Sequence, residues 1–241
     1  MIKKITFGLF VLFISTTVNA QWWGNGKRIK GNGNIVTVKR TTSNYDGIGV
    51  GGSFVVKLVK GKEGNITIEG EENIIPYIET EVKGNTLEIK YKKNTNISTT
   101  RKLTVTVTYS ELDKVSLGGS GNITNEGVLK SDDLKVSLGG SGNITLVLDV
   151  DEVKSSIGGS GNIKLNGKSN QLNCSISGCI KAYDLTTETL NATIAGSGSI
   201  RTTVNTKIKA KVVGSGNIYY KGNPKYLDSK TVGSGDIIDR N

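Results

Sequence analysis

From Ile35 onward the chain sets apolar residues among polar ones in short alternating runs, as in Ile35-Val36-Thr37-Val38 and Leu103-Thr104-Val105-Thr106-Val107. Period-two alternation marks a strand with one buried face. In the second half the alternation acquires a longer period. Gly118-Gly119-Ser120-Gly121-Asn122-Ile123 returns at Gly139–Ile144 and at Gly158–Ile163, with weaker copies ending at Ile180, Ile200, Ile218 and Ile237. These marker isoleucines recur at nearly even intervals, ~19 residues on average, which is the signature of a repeat architecture.

Counting back six residues from each marker gives Leu117, Leu138, Ile157, Cys174, Ile194, Val212 and Thr231. Counting back eight gives Val115, Val136, Ser155, Leu172, Ala192, Ala210 and Ser229, with a polar residue between the two rows throughout. Each unit therefore reads as a strand, a Gly-Ser-Gly bend made possible by glycine's access to positive φ, and a second strand starting at the isoleucine. Such a unit cannot bury its apolar row alone, whereas stacked units at ~4.8 Å spacing close a continuous core. The pattern predicts an all-β, right-handed parallel β-helix (a solenoid) with rungs of ~19 residues. An antiparallel sandwich or barrel is the competing architecture.

The spacing is irregular before residue 111, so residues 33–110 are expected to form irregular N-terminal rungs that cap the stack, and 111–238 the regular repeats of one domain spanning 33–241. Asn73–Ile78, with clustered apolar residues around Pro76, predicts one helical turn. Lys3 and Lys4, an apolar run from Ile5 to Ile14, and Val18-Asn19-Ala20 describe a secretory signal peptide over residues 1–20. The run is shorter than the ~20 residues a bilayer span needs. Residues 21–32, including Trp22-Trp23, read as a flexible leader. No second apolar span follows, which points to an exported chain in the periplasm, on the cell surface or secreted, with no integral membrane span once the signal is removed.

Composition narrows the chemistry. The 241 residues include 32 Gly, 2 Cys and no His. Without histidine there is no Ser–His–Asp or Cys–His nucleophile and no His-ligated metal, and two cysteines are too few for an all-cysteine cluster. Removal of Lys3 and Lys4 from the 31 basic residues leaves 29 against 21 acidic ones. The lysines are scattered through strands and no nucleic-acid-binding signature is present, so no nucleic-acid partner is expected. The copies of Gly-Gly-Ser-Gly-Asn-Ile put isoleucine where a calcium-binding β-roll repeat needs its carboxylate. No cofactor or metal is called for.

Four sets of residues remain as candidates. The row Asn122, Asn143, Asn162, Asn217 and Asp236, continued by Cys179 and Ser199, reads as a structural turn ladder. Tyr219, Tyr220 and Tyr226 near the C-terminal end are candidates for stacking on sugar rings, or for packing over the last rung. Asp133 and Asp151 are separated by close to one repeat, which would let them share a corner as a polysaccharide lyase or hydrolase would require. Cys174 and Cys179 read as non-reactive thiols or a local bridge.

The segments Tyr45–Val56 and Pro76–Val82, the Gly-Ser-Gly-Asn-Ile repeats and the closing Ile218-Tyr219-Tyr220-Lys221-Gly222-Asn223-Pro224 resemble the auto-transporter adhesin "head GIN" domain family over roughly residues 35–237. Two departures stand out: Tyr45 where the family usually has Phe, and Ser177-Gly178-Cys179 in place of Ser-Gly-Asn. The resemblance implies an exported bacterial β-solenoid-like domain with no catalytic residues to carry over. Together these readings predict a non-enzymatic adhesin or cell-surface binding protein whose partner is a glycan or a surface protein. A polysaccharide-active enzyme and a structural envelope component that self-assembles through its ends or sides are the alternatives.

Overall fold

The computed structural model describes residues 27–241. The expected signal peptide and Trp22-Trp23 lie outside the described residues. In chain order the first part contains β1 (Lys27–Lys30), β2 (Ile35–Thr41), β3 (Gly47–Gly51), β4 (Val55–Lys60), β5 (Asn65–Glu71), β6 (Ile78–Lys83), β7 (Thr86–Tyr91), β8 (Thr95–Ser98) and β9 (Thr104–Tyr109). The second part contains β10 (Lys114–Leu117), β11 (Asn122–Glu126), β12 (Leu129–Leu138), β13 (Asn143–Ile157) and β14 (Asn162–Ile176). It closes with β15 (Cys179–Gly196), β16 (Ser199–Gly214), β17 (Asn217–Lys221), β18 (Tyr226–Val232) and β19 (Ile237–Asp239). Ile75–Tyr77 is a single 3₁₀ turn, inside the segment expected to be helical. β1 pairs in parallel with β8, so ordered structure begins within the stretch expected to be a leader.

The chain is a β-solenoid of about seven turns. The marker isoleucines form one ladder: Ile123, Ile144, Ile163, Ile180, Ile200, Ile218 and Ile237 are successive register partners. All but the last are fully buried. Within the β13 rung the alternation changes phase once. In β13 the buried positions are Ile144, Leu146, Leu148 and Val150, then Val153, Ser155 and Ile157. Asp151 and Glu152 therefore both face outward, and the strand turns a corner there.

The Gly140 and Gly159 corners work by a different principle from the one their sequence suggests, whereas Gly196, Gly214 and Gly233, at the same position of later corners, do adopt positive φ. A Cβ on Gly140 would lie 2.1 Å from the carbonyl oxygen of Gly119, and one on Gly159 would lie 2.2 Å from that of Gly140. Neither residue has a positive φ. Glycine is needed here because each corner sits directly on the backbone of the rung before it, with Gly161 N–H donating to Gly140 O at 3.2 Å. The first glycine of these two corners is free of this demand: nothing lies within 4 Å of a Cβ built on Gly139 or Gly158.

The fourth corner corrects one sequence alignment. Ile157 pairs with Ile176 rather than with Cys174, because Ser177-Gly178-Cys179 closes the corner with two fewer residues. Cys174 instead aligns with Ser155 and Ala192, Ser175 takes the intervening polar position, and Leu172 aligns with Val153.

The N-terminal part is stacked out of chain order. β3 lies between β7 and β10, and β4 between β9 and β11, all in parallel register. The rung made by residues 86–109 is thus outside the earlier rung 47–60. Antiparallel β6 on β7, and β5 with β2 on β9, finish the end. This cap buries larger side chains than the repeats do, Tyr45, Phe54 and Tyr109 among them. The Tyr45 hydroxyl donates to Thr108 O at 2.5 Å, so this buried ring has a partner for its oxygen. Burial, with Glu63 nearby, pushes that phenol up to about 12.

Glu71 is buried at 2% exposure and ties three loops together. Its carboxylate accepts from Gly33 N–H at 2.8 Å, Thr100 N–H at 2.8 Å and the Thr100 hydroxyl at 2.6 Å. Burial pushes the carboxyl up, but these donors and the N–H of Arg101 outweigh it and hold the group below its ordinary value.

Candidate binding face

Five long parallel strands, β12 to β16, stack their outer-face side chains in rows, with register shifts confined to the first runs and the corner of β14–β15 and β15–β16. On their second run two outward rows lie side by side. One is Lys135, Lys154, Asn173, Asn191, Lys209 and Asp228; the other is Ser137, Ser156, Ser175, Thr193, Lys211 and Lys230. Between them the inward row is small over four rungs, Ser155, Cys174, Ala192 and Ala210. Both outward rows and this inward row line a groove of about 700 Å³.

Short polar groups line the middle of the groove. Asn191 Nδ2 donates to Asn173 Oδ1 at 2.8 Å, Asn173 Nδ2 to Glu152 Oε1 at 2.5 Å, and the Ser156 hydroxyl to that of Ser137 at 3.1 Å. Lysines stand at both ends. Lys154 is held by Glu152 at 3.0 Å and Asp133 at 3.2 Å. Among the described residues, Lys135, Lys209, Lys211 and Lys230 have no carboxylate within 4.0 Å. The groove is therefore a floor mostly of carbon at its accessible surface, with these hydrogen-bonding groups set into it and uncompensated positive charge at its margins.

The other candidates fall elsewhere. Asp133 stands opposite Glu152, one position off the Asp151 with which it was expected to share a corner. Asp151 accepts from Asn170 Nδ2 at 2.8 Å, and Asp149 lies between Lys130 at 3.6 Å and Lys168 at 3.5 Å. Asp133, Asp149 and Asp151 do line one open acidic cleft of about 620 Å³ with Glu111, Asp113 and Asp132, and within it lysines hold Asp133 and Asp149 while an amide holds Asp151. No group of three metal-ligating side chains occurs among the described residues.

Tyr219 and Tyr226 lie on different runs of the last turns. The ring of Tyr219 has Arg201 at 5.1 Å and Arg240 at 5.2 Å from its centroid. Tyr220 is half-buried against the core. Tyr226 is exposed beside the groove, with Lys207 Nζ at 5.0 Å from its ring. Asn143 Nδ2 donates to Asn122 Oδ1 at 3.0 Å, and Asn162 Nδ2 to Asn143 Oδ1 at 3.2 Å. Further along the same row the Ser199 hydroxyl lies 3.5 Å from Cys179 Sγ, and Asn217 Oδ1 accepts from Asp236 N–H at 2.9 Å. Cys174 and Cys179 are both free thiols, and burial pushes that of Cys174 up to about 12.

Comparison with known proteins then decides the family. The sequence profile of the family described as "Putative auto-transporter adhesin, head GIN domain" matches residues 44–224. The chain belongs to this family. Among solved structures, the head GIN chain is similar to a "putative adhesin" of Bacteroides fragilis, at 26% identity and a TM-score of 0.83 over 88% of this chain and 100% of that one. A "putative lipid binding protein" of Parabacteroides distasonis aligns at 29% identity and 0.75 over 89% and 100%. A "putative adhesin" of Parabacteroides merdae aligns at 26% and 0.73 over 89% and 100%. No protein of curated function matches the chain. No helix among the described residues is long and apolar enough to cross a membrane. Family and neighbours together support a binding role at a cell surface.

The basic groove is a feature that sequence reasoning missed. Its signal was present in the periodicity: the polar residue between the two apolar rows, once aligned at the fourth unit, is Ser, Ser, Ser, Ser, Thr, Lys, Lys. The neighbouring outward row needs the same offset read one position earlier than the buried row.

Proposed function

We propose that this head GIN domain is exported and acts by binding rather than catalysis, as an adhesin-type module that holds an anionic surface polymer along the groove of β12 to β16. The observation that carries the reading is the pair of outward rows whose free lysines flank a floor of Asn, Ser and Thr. An extended polyanion such as a polyuronate would place carboxylates against Lys135, Lys209 and Lys211, hydroxyls against Asn173, Asn191 and Thr193, and a ring face on exposed Tyr226. Export is supported by the N-terminal signal and by the family. The turn ladder of asparagines serves to hold successive corners in register.

Binding of the processed chain to immobilised polyuronate, with a neutral polysaccharide and anionic-lipid vesicles as the other arms, tests this. Retention on polyuronate that weakens as salt rises is expected. Exposed charge pairs contribute ~0.2–1 kcal/mol each, so Lys209→Glu with Lys211→Glu should weaken binding about tenfold. Equal retention on the neutral polymer, or binding to vesicles alone, would overturn the choice of ligand. Protease treatment of intact cells places the protein, and removal of the domain is the expected result.

A further inference from the structure

The last long strand of the stack has a partner on one side only. β18 pairs with β16 from Tyr226 to Val232, and no strand among the described residues lies along its other edge. The inward positions of this rung are open as well. Leu227 is 47% exposed where its register partner Ile208 is 0%, and Thr231 is exposed above fully buried Val212. Tyr226 at 53% and Val232 at 52% flank the same edge. A row of unpaired N–H and C=O groups beside an open apolar core is a template for another strand.

The side chains on this edge select its partner. Charges on an edge strand ordinarily discourage pairing, but Asp228 and Lys230 have opposite signs and stand at equal distance from Ser229. We propose that the chain self-associates through this end as a two-fold dimer, β18 pairing antiparallel with a second copy of itself about Ser229. In that register Asp228 faces the partner's Lys230 and Lys230 faces the partner's Asp228. Leu227 meets the partner's Thr231, and Tyr226 meets the partner's Val232. Opposite charges directly across an antiparallel pair attract, and a two-fold interface needs this kind of self-complementary patch. The two open cores then close each other.

Stacking of this end onto the N-terminal end of another copy is disfavoured. There Arg40 already donates to Ile78 O at 2.7 Å and to Ile75 O at 3.0 Å. The dimer uses Asp228 and Lys230, which also stand at the end of the groove, and exposed Tyr226 beside it. Sedimentation without polymer nevertheless reads self-association alone, and loss of polymer binding in Lys209→Glu with Lys211→Glu leaves the β18 edge unchanged.

Sedimentation of the full chain as processed on secretion tests the proposal. The wild type should run as a dimer over roughly 1–100 μM. Lys230→Asp sets like charges across the pair and should weaken dimerisation by about tenfold or more. Asp228→Lys combined with Lys230→Asp exchanges the charges and should restore the dimer. Ser229→Cys should give a disulfide-linked dimer on mild oxidation that the wild type does not form. A monomeric wild type, a dimer indifferent to Lys230→Asp, a double variant that stays monomeric, or no cross-link in Ser229→Cys would each overturn it.

Discussion

The two ends of this stack meet water in opposite ways. At the N-terminal end antiparallel strands β2 and β6 turn the sheet aside, Arg40 occupies loose carbonyls, and buried Glu71 gathers the loops. At the other end β18 lies bare, with every residue exposed. Between them the repeats need no such devices, because each rung is capped by the next. Apart from the β6–β7 hairpin, the cap is therefore built from contacts more distant in sequence than the repeats, whose contacts lie about one rung apart. Damage should follow the same division: corner defects propagate along the stack, while cap defects act through single buried groups.

Variants can sharpen this contrast. The largest effect is expected at a corner. Gly140→Ala must move the backbone of the rung before it and should cost about 3 kcal/mol, whereas Gly139→Ala, with open space around its Cβ, should stay within about 0.5 kcal/mol. Chemical denaturation of both variants reads the difference, and equal losses would show that close approach is not what the glycines serve.

In the cap, Glu71→Gln turns an amide nitrogen toward backbone donors and should cost about 2 kcal/mol at neutral pH. The same group sets an acid response. Its folded value lies below the ordinary 4.5, so its contribution is present above that value and is lost as pH falls through the folded one. Stability measured from pH 7 downward should fall less steeply in Glu71→Gln than in the wild type.

Smaller effects belong to the rungs' side chains. Asn143→Ala breaks two bonds of the exposed ladder, Asn122 on one side and Asn162 on the other, and should cost about 1 kcal/mol. Ser155→Ala should do the reverse. The Ser155 hydroxyl is buried without a partner, and alanine already fills that row at Ala192 and Ala210, so a gain of up to about 1 kcal/mol in thermal or denaturant melts is expected.

Much of the repeat region is legible before any coordinates, because its periodicity is local. The isoleucine ladder and the Asn122-Asn143-Asn162 row follow from spacing alone. The first corner, Gly51-Gly52-Ser53, stacks under Gly118–Gly121 and was readable as an eighth copy, but Phe54 stands where later corners have Gly. Counting back from Ile180 misplaced Cys174, since a fixed offset assumes a fixed corner length. The passage of Thr86–Tyr109 outside Gly47–Lys60 has no short-range signal at all; it is settled by β7 and β9 pairing with one edge of β3 and β4 while β10 and β11 take the other. The groove escaped notice because two outward rows and a small inward row line it together, a property of four rungs at once.

Deleting one whole rung, Asn143–Gly161, tests the stack most directly, since Gly142 would then join Asn162 and preserve the corner sequence. A ladder of interchangeable rungs closes over the gap: the shortened chain should keep its β-sheet circular dichroism, unfold cooperatively and melt at a somewhat lower temperature. Loss of the β signal or of cooperative unfolding on removing that single rung would contradict it.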